Sequence, residues 1–170
     1  MEQKDKPIHA FLSWLQDTPL AHLVAESPVL FPTIESIHVL AITFVVGSIA
    51  IVDLRLLGLA GRDQKITRLT SDILPWTWAA FILAAMMGSL LFASNAVKYF
   101  DNIPFRAKFA LMALAGLNML VFQFVTFRGV AKWDIGAPTP LAAKLAGAFS
   151  LVLWVGVIAF GRWIGFTMFG

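Results

Sequence analysis

From Ile73 to Val97 the chain carries no charged side chain, and this uninterrupted apolar run limits its fold more than any other feature. About 20 helical residues cross the roughly 30 Å of hydrocarbon in a bilayer. The run meets that length and reads as a transmembrane helix. Three other segments meet the same requirement, and spans are expected over about 34–58, 73–97, 104–127 and 141–163. Composition agrees: 59% of the 170 residues are apolar and 14% charged, against roughly 45–50% and 25% in a soluble domain. A soluble enzyme and a disordered chain are excluded. With no cysteine there is no disulfide framework, thiolate metal site or cysteine nucleophile.

Local signals predict the span ends. Thr33, after Pro32, reads as the N-cap of the first span. Asp72 reads as the cap of the second, with Pro75 in its first turn, where a missing N–H costs little. Pro138 and Pro140 punctuate the approach to the fourth. Before the spans, Met1 to Pro7 is charged and polar with no apolar stretch of a cleavable signal, so the first span is expected to serve as the insertion signal. Ile8, Phe11, Leu12 and Leu15 then recur at helical spacing until Pro19 interrupts them, which predicts an amphipathic helix in the membrane interface. The expected architecture is an all-α antiparallel four-helix bundle in a membrane, residues 31–170, preceded by an interfacial segment, residues 1–30. Short connections join neighbours in such a bundle.

Lys/Arg bias sets orientation. Arg55, Arg62, Lys65, Arg68, Arg128, Lys132 and Lys144 outweigh Lys98, Arg106, Lys108 and Arg162 on the other side. Both termini are therefore expected in the periplasm of a bacterial inner membrane. Trp76, Trp78, Trp133, Trp163 and Tyr99 fall near span ends, where aromatic belts form. Stripes of small residues, Ala80-Ala84-Gly88 and Ala142-Ala146-Ser150 among them, suit close helix approach or packing against further copies or a larger complex.

Ionisable groups at membrane depth are costly and mark function by default. His38 is the one histidine within a span. It reads as a contact for haem b iron or a quinone, as a proton carrier, or as a hydrogen bond to a neighbouring helix. Asn95, Arg106 and Lys108 lie at similar depth, the two cations as candidate partners for haem propionates. On the opposite side are Asp53, Arg55, Gln123 and Arg128, with Asn118 near mid-span. Asp53 and Arg55 point about 200° apart on their helix and do not pair. Arg55 is expected to snorkel to the surface, and Asp53 to turn inward toward Arg128 or Gln123. Asn118 and Gln123 read as interhelical hydrogen bonds. A pI near 9.5 is explained by anionic lipid and needs no nucleic acid. Phosphate loops, Ser/His/Asp sets and His-x-x-x-His pairs are missing from the sequence, which disfavours a hydrolase or kinase.

The string Ile34-Glu35-Ser36-Ile37-His38-Val39-Leu40, then Gly47 and Asp53-Leu54-Arg55-Leu56-Leu57-Gly58, resembles an uncharacterised family of small bacterial inner-membrane proteins. Leu74-Pro75-Trp76-Thr77-Trp78, Phe105 to Lys108 and Ala115-Gly116-Leu117-Asn118 extend the resemblance over roughly residues 26–135. It implies a four-helix protein distantly similar to copper-resistance and cytochrome b-like membrane proteins. It also implies a shared polar set of His38, Asp53, Arg55, Trp76, Lys108 and Asn118. Relatives with His where this chain has Gln123 speak against an iron ligand at that position here. The leading expectation is a bundle that holds a redox cofactor or lipophilic molecule near the outer leaflet through His38, with possible metal ligation only if haem binds. The alternatives are a channel or carrier for protons or a small solute, and a structural subunit.

Overall fold

The computed structural model describes residues 6–168, whose regular elements are all helical. The charged start at residues 1–5 lies outside the described residues. Two short helices, α1 (Lys6–Gln16) and α2 (Pro19–Glu26), precede α3 (Leu30–Leu57), α4 (Ile66–Ser94), α5 (Ala96–Asp101), α6 (Ile103–Val121) and α7 (Leu141–Met168). A π-helical turn, Phe122–Thr126, and a 3-10 segment, Phe127–Lys132, prolong α6. The helices α3, α4, α6 with its extension, and α7 are long and apolar enough to cross a membrane, so this is an all-α multi-pass membrane bundle. Helices α1, α2 and α5 lie at the end of the bundle where α7 finishes, called here the termini face. The connections 58–65 and 133–140 form the loop face.

Two expected caps are corrected. Thr33 does not cap α3; its hydroxyl donates back to the Val29 carbonyl at 2.7 Å, while Ser27 Oγ accepts from the Leu30 amide at 3.1 Å. Helix α4 starts at Ile66, so Asp72 and Pro75 lie inside it. Its orphan first amides are served from far along the chain. Asp134 Oδ1 accepts from the Thr67 amide and Oδ2 from the Thr67 hydroxyl, both at 2.9 Å, and the Asp134 carbonyl accepts from the Ile66 amide. Pro75 removes one interior N–H, a loss that membrane helices tolerate. At its other end α4 stops at Ser94, where Asn95 leaves helical geometry at φ −151°. Gly58 ends α3 in the left-handed conformation, φ 73°, returning its amide to the Arg55 and Leu54 carbonyls.

Helix α3 packs on α4 and on α7, and α7 packs on α6. Helices α4 and α6, though consecutive long helices, share no such face. The rule that chain neighbours are spatial neighbours fails here because α5 bridges them across the termini face. At that end Phe105 closes the gap, stacked on Phe92 at 5.4 Å and against Tyr99 at 5.5 Å. Toward the loop face the seam stands open. Helix α1 lies on α5 and α2 lies on α3 and α4, burying Leu12, Ala21 and Val24 and leaving Phe11, Trp14, Leu20 and Leu23 exposed. Trp133, expected in an interfacial belt, is only 5% exposed and packs with Leu56, Ile66 and Ala143 in a core at the loop face.

Candidate functional site

Behind the open seam, in the loop-facing half, is a cavity of about 220 Å³. Asp53 and Ser48 on α3 and Ser150 on α7 supply its polar floor, and Phe81, Met112, Ala115 and Trp154 belong to its apolar wall. Trp78 on α4 and Met119 and Gln123 on α6 line the cavity and are themselves exposed, so they form the rim of a mouth that opens sideways between the two helices. In a membrane that mouth faces lipid tails.

Asp53 faces inward and is 5% exposed. Its Oδ2 is fully enclosed and has no hydrogen-bond partner among the described residues. Gly147 lets α7 approach α3 closely at this level, since a Cβ there would sit 3.1 Å from the Asp53 carbonyl oxygen. The neighbouring donors are committed. Ser48 and Thr77 share a bond of 2.8 Å between α3 and α4, and each is also placed to donate to its own helix, at Val45 and Ile73. Asn118 Nδ2 donates to the Ala146 carbonyl at 2.9 Å, joining α6 to α7. Ser150 is a further hydroxyl of the cavity floor. Of the partners expected from sequence, Gln123 lines the same cavity, whereas Arg128 is exposed and outside it. The π-helical turn that contains Gln123, with its wider i→i+5 winding, and the 3-10 segment that carries Arg128 shift the register between the two. Ser150 itself was visible only as the last member of a small-residue stripe.

In the termini-facing half, His38 is differently placed. Its Nδ1 lies 2.7 Å from the Ala84 carbonyl of α4. A carbonyl only accepts, so Nδ1 carries the proton and Nε2 keeps a lone pair. The ring rests on Gly88, where a Cβ would meet Cε1 at 2.8 Å. Lys108 runs its stem along Gly161 of α7. Arg106 is turned away: it donates to the Phe100 carbonyl at 2.7 Å, stands over the Phe100 ring and approaches Asp101 at 3.7 Å. Asn95 sits half-buried at the break between α4 and α5. His38, Lys108, Arg106 and Asn95 therefore do not converge on the cavity. Burial, with the charge of Glu35, pushes the nearby Tyr99 phenol up.

Arg55 corrects a second expectation. It does not snorkel; it is 4% exposed, with Nε on the Gln64 carbonyl at 3.0 Å and Nη2 on the Asp134 carbonyl at 3.1 Å. One guanidinium thus ties both loops of the loop face to the end of α3. The Asp134 carboxyl is held below its ordinary value chiefly by the Thr67 amide, helped by the Thr67 hydroxyl and Lys65.

Among the described residues no group of three or more His, Cys, Asp or Glu side chains is arranged to hold a metal ion. A model described as a family of unknown function, DUF6644, matches residues 11–167, and the chain belongs to that family. No curated protein and no solved structure matches the chain. The similarity to copper-resistance and cytochrome b-like proteins finds no support in these comparisons.

Proposed function

We propose that this member of the family binds a lipophilic small molecule, of quinone type, in the cavity between α4 and α6, the guest passing sideways from the bilayer. The observation that carries the reading is the enclosed, unpartnered Asp53 Oδ2 at the back of an apolar, lipid-facing mouth. Ligand sites are concave and mostly apolar with a few placed polar groups, and polar atoms left unpaired in a native bundle ask for an explanation. This moves the ligand from His38, in the outer half, to the inner half of the bundle. The inner-membrane location with periplasmic termini follows from the Lys/Arg bias, to which exposed Arg62, Lys65, Arg68 and Lys132 on the loop face still contribute.

Haem b draws less support. The cavity wall contains no imidazole, and the one histidine in a span lies outside the cavity. A route through the bundle for protons or solute is likewise disfavoured: between His38 and Ser48 the interior face of α3 presents Ala41 and Val45, both buried.

Trp78 and Trp154 line the cavity, so quinone binding is read directly as quenching of tryptophan emission in lipid nanodiscs. A decyl-tailed benzoquinone is expected to quench saturably, and Ala115→Phe, which fills the cavity, to abolish the saturable part. Quenching that rises linearly with membrane partitioning and is the same in Ala115→Phe overturns the reading. A Soret band in the protein as purified, lost in His38→Ala, moves the ligand to haem.

A further inference from the structure

The cavity lining changes along its length and carries no positive charge. Helices α4 and α7 both start at the loop face; the lining residues Thr70 and Ala146 lie about one turn in from those starts, and Phe81 and Trp154 about four turns in. Asn118 meets the Ala146 carbonyl, and Gln123, farther along in the π-helical turn, is nearer still to the loop face. The loop-facing end is thus the polar one, with exposed Gln123 setting an amide, both donor and acceptor, at the mouth. The hydroxyls of the lining, its two amides and the indole N–H groups of Trp78 and Trp154 are all neutral, and no Lys, Arg or His is among the described residues that line it. Arg55 and Arg128, the cations nearest in the chain to Asp53 and Gln123, stay outside: Arg55 donates to the Gln64 and Asp134 carbonyls, and Arg128 is exposed. An apolar cavity of about 150 Å³ takes one benzene, so 220 Å³ has room for one substituted ring.

Resting on the lipid-facing cavity proposed above, we infer that the site selects by head charge: it takes a single-ring amphiphile whose carbonyl-bearing head is neutral, and excludes the same ring bearing an anion. The head sits at the loop-facing end against Gln123, and the tail leaves through the seam toward the middle of the bundle, the orientation an amphiphile already has in the loop-side leaflet. An ion without a counter-charge is far costlier to bury than a neutral polar group. Asp53 offers no positive charge in either protonation state. Anionic lipid drawn to the exposed Arg62, Lys65, Arg68 and Lys132 of the loop face is thereby kept out of a cavity that its chains could otherwise fill.

The test uses the full chain in nanodiscs of zwitterionic lipid at pH 8, with the decyl-tailed benzoquinone as the bound quencher. Two competitors of one ring and tail, methyl 4-decylbenzoate and 4-decylbenzoate, are compared at equal concentration in the membrane by the recovery of tryptophan emission. The neutral ester is expected to displace the benzoquinone at least about tenfold more effectively than the carboxylate. Gln123→Lys, which sets a cation at the mouth, is expected to bring the two within about threefold of each other. Gln123→Leu is expected to weaken the ester and leave the carboxylate excluded. Equal displacement in the wild type, a tighter carboxylate, or a tenfold gap that survives Gln123→Lys each overturns the inference while leaving the cavity reading in place. Benzoquinone quenching that never saturates removes both. The wild-type comparison needs no variant, and Gln123 is exposed, so its replacement asks little of the fold.

Discussion

The termini-facing and loop-facing halves of the bundle each bury a titratable side chain of α3, and the two are treated in opposite ways. His38 is clamped: a carbonyl at 2.7 Å, a glycine notch beneath the ring, and Phe92, Tyr99 and Phe105 closing the gap between α4 and α6 nearby. Asp53 is enclosed without a partner, beside a cavity whose mouth opens where α4 and α6 separate. Polar groups at membrane depth are all costly, so depth alone does not tell glue from site. Satisfaction separates the two: the fold pairs the histidine's Nδ1 with a carbonyl and leaves the carboxylate's Oδ2 without a partner.

The comparison can be broken by mutation. The largest effect is expected outside both halves, at the clasp: Arg55→Ala removes two charge-assisted bonds to loop carbonyls and should cost about 2–3 kcal/mol in detergent unfolding. A cost near zero would mean that the loop face holds without it. Gly88→Val pushes a side chain into the His38 ring and should cost about 1–3 kcal/mol, whereas substituting Gly116, which has nothing near its absent Cβ, should cost little beyond lipid contact. Asp53→Leu should have the opposite sign. Replacing an unpaired buried carboxylate with an apolar side chain of similar size is expected to stabilise the bundle by about 1–2 kcal/mol. A destabilised Asp53→Leu protein would make the carboxylate structural and erase the contrast. Removing the shared Ser48–Thr77 bond should register only about 0.6 kcal/mol in a double-mutant cycle.

The smallest effect concerns acid. The Asp134 carboxyl lies below its ordinary 3.8 in the folded chain. Its contribution is thus present above the unfolded value and is lost as pH falls through the folded one. Melting of the wild type should converge on that of Asp134→Asn only at the acid end of a titration. A difference between them that persists unchanged there would mean the carboxylate does not hold α4.

The spans were legible because charge-free length is a local property, and their centres coincide with α3, α4, α6 and α7. What was not legible depends on residues far apart in sequence. The start of α4 was read at the nearest acid, Asp72, when the acid that serves it is Asp134. Arg55 was read as a surface cation because its partners are loop carbonyls, which no side-chain pattern announces. The inward turn of Asp53 could be argued from its short side chain. The missing counter-charge could not, since the π-helical turn that carries Arg128 away leaves no composition signal. The open seam was hidden for the same reason: that α5 holds α4 and α6 apart is a matter of geometry beyond Asn95.

The cap that Asp134 places on α4 also imposes an order on synthesis. A ribosome delivers α3 and α4 long before residue 134, so the first hairpin enters the bilayer with its second helix uncapped and Arg55 short of one carbonyl. Both are supplied only when α6 has crossed and its following loop returns to the same side. The last loop made is thus the fastener of the first hairpin, and a nascent chain stopped anywhere before Asp134 is inserted but not yet clasped.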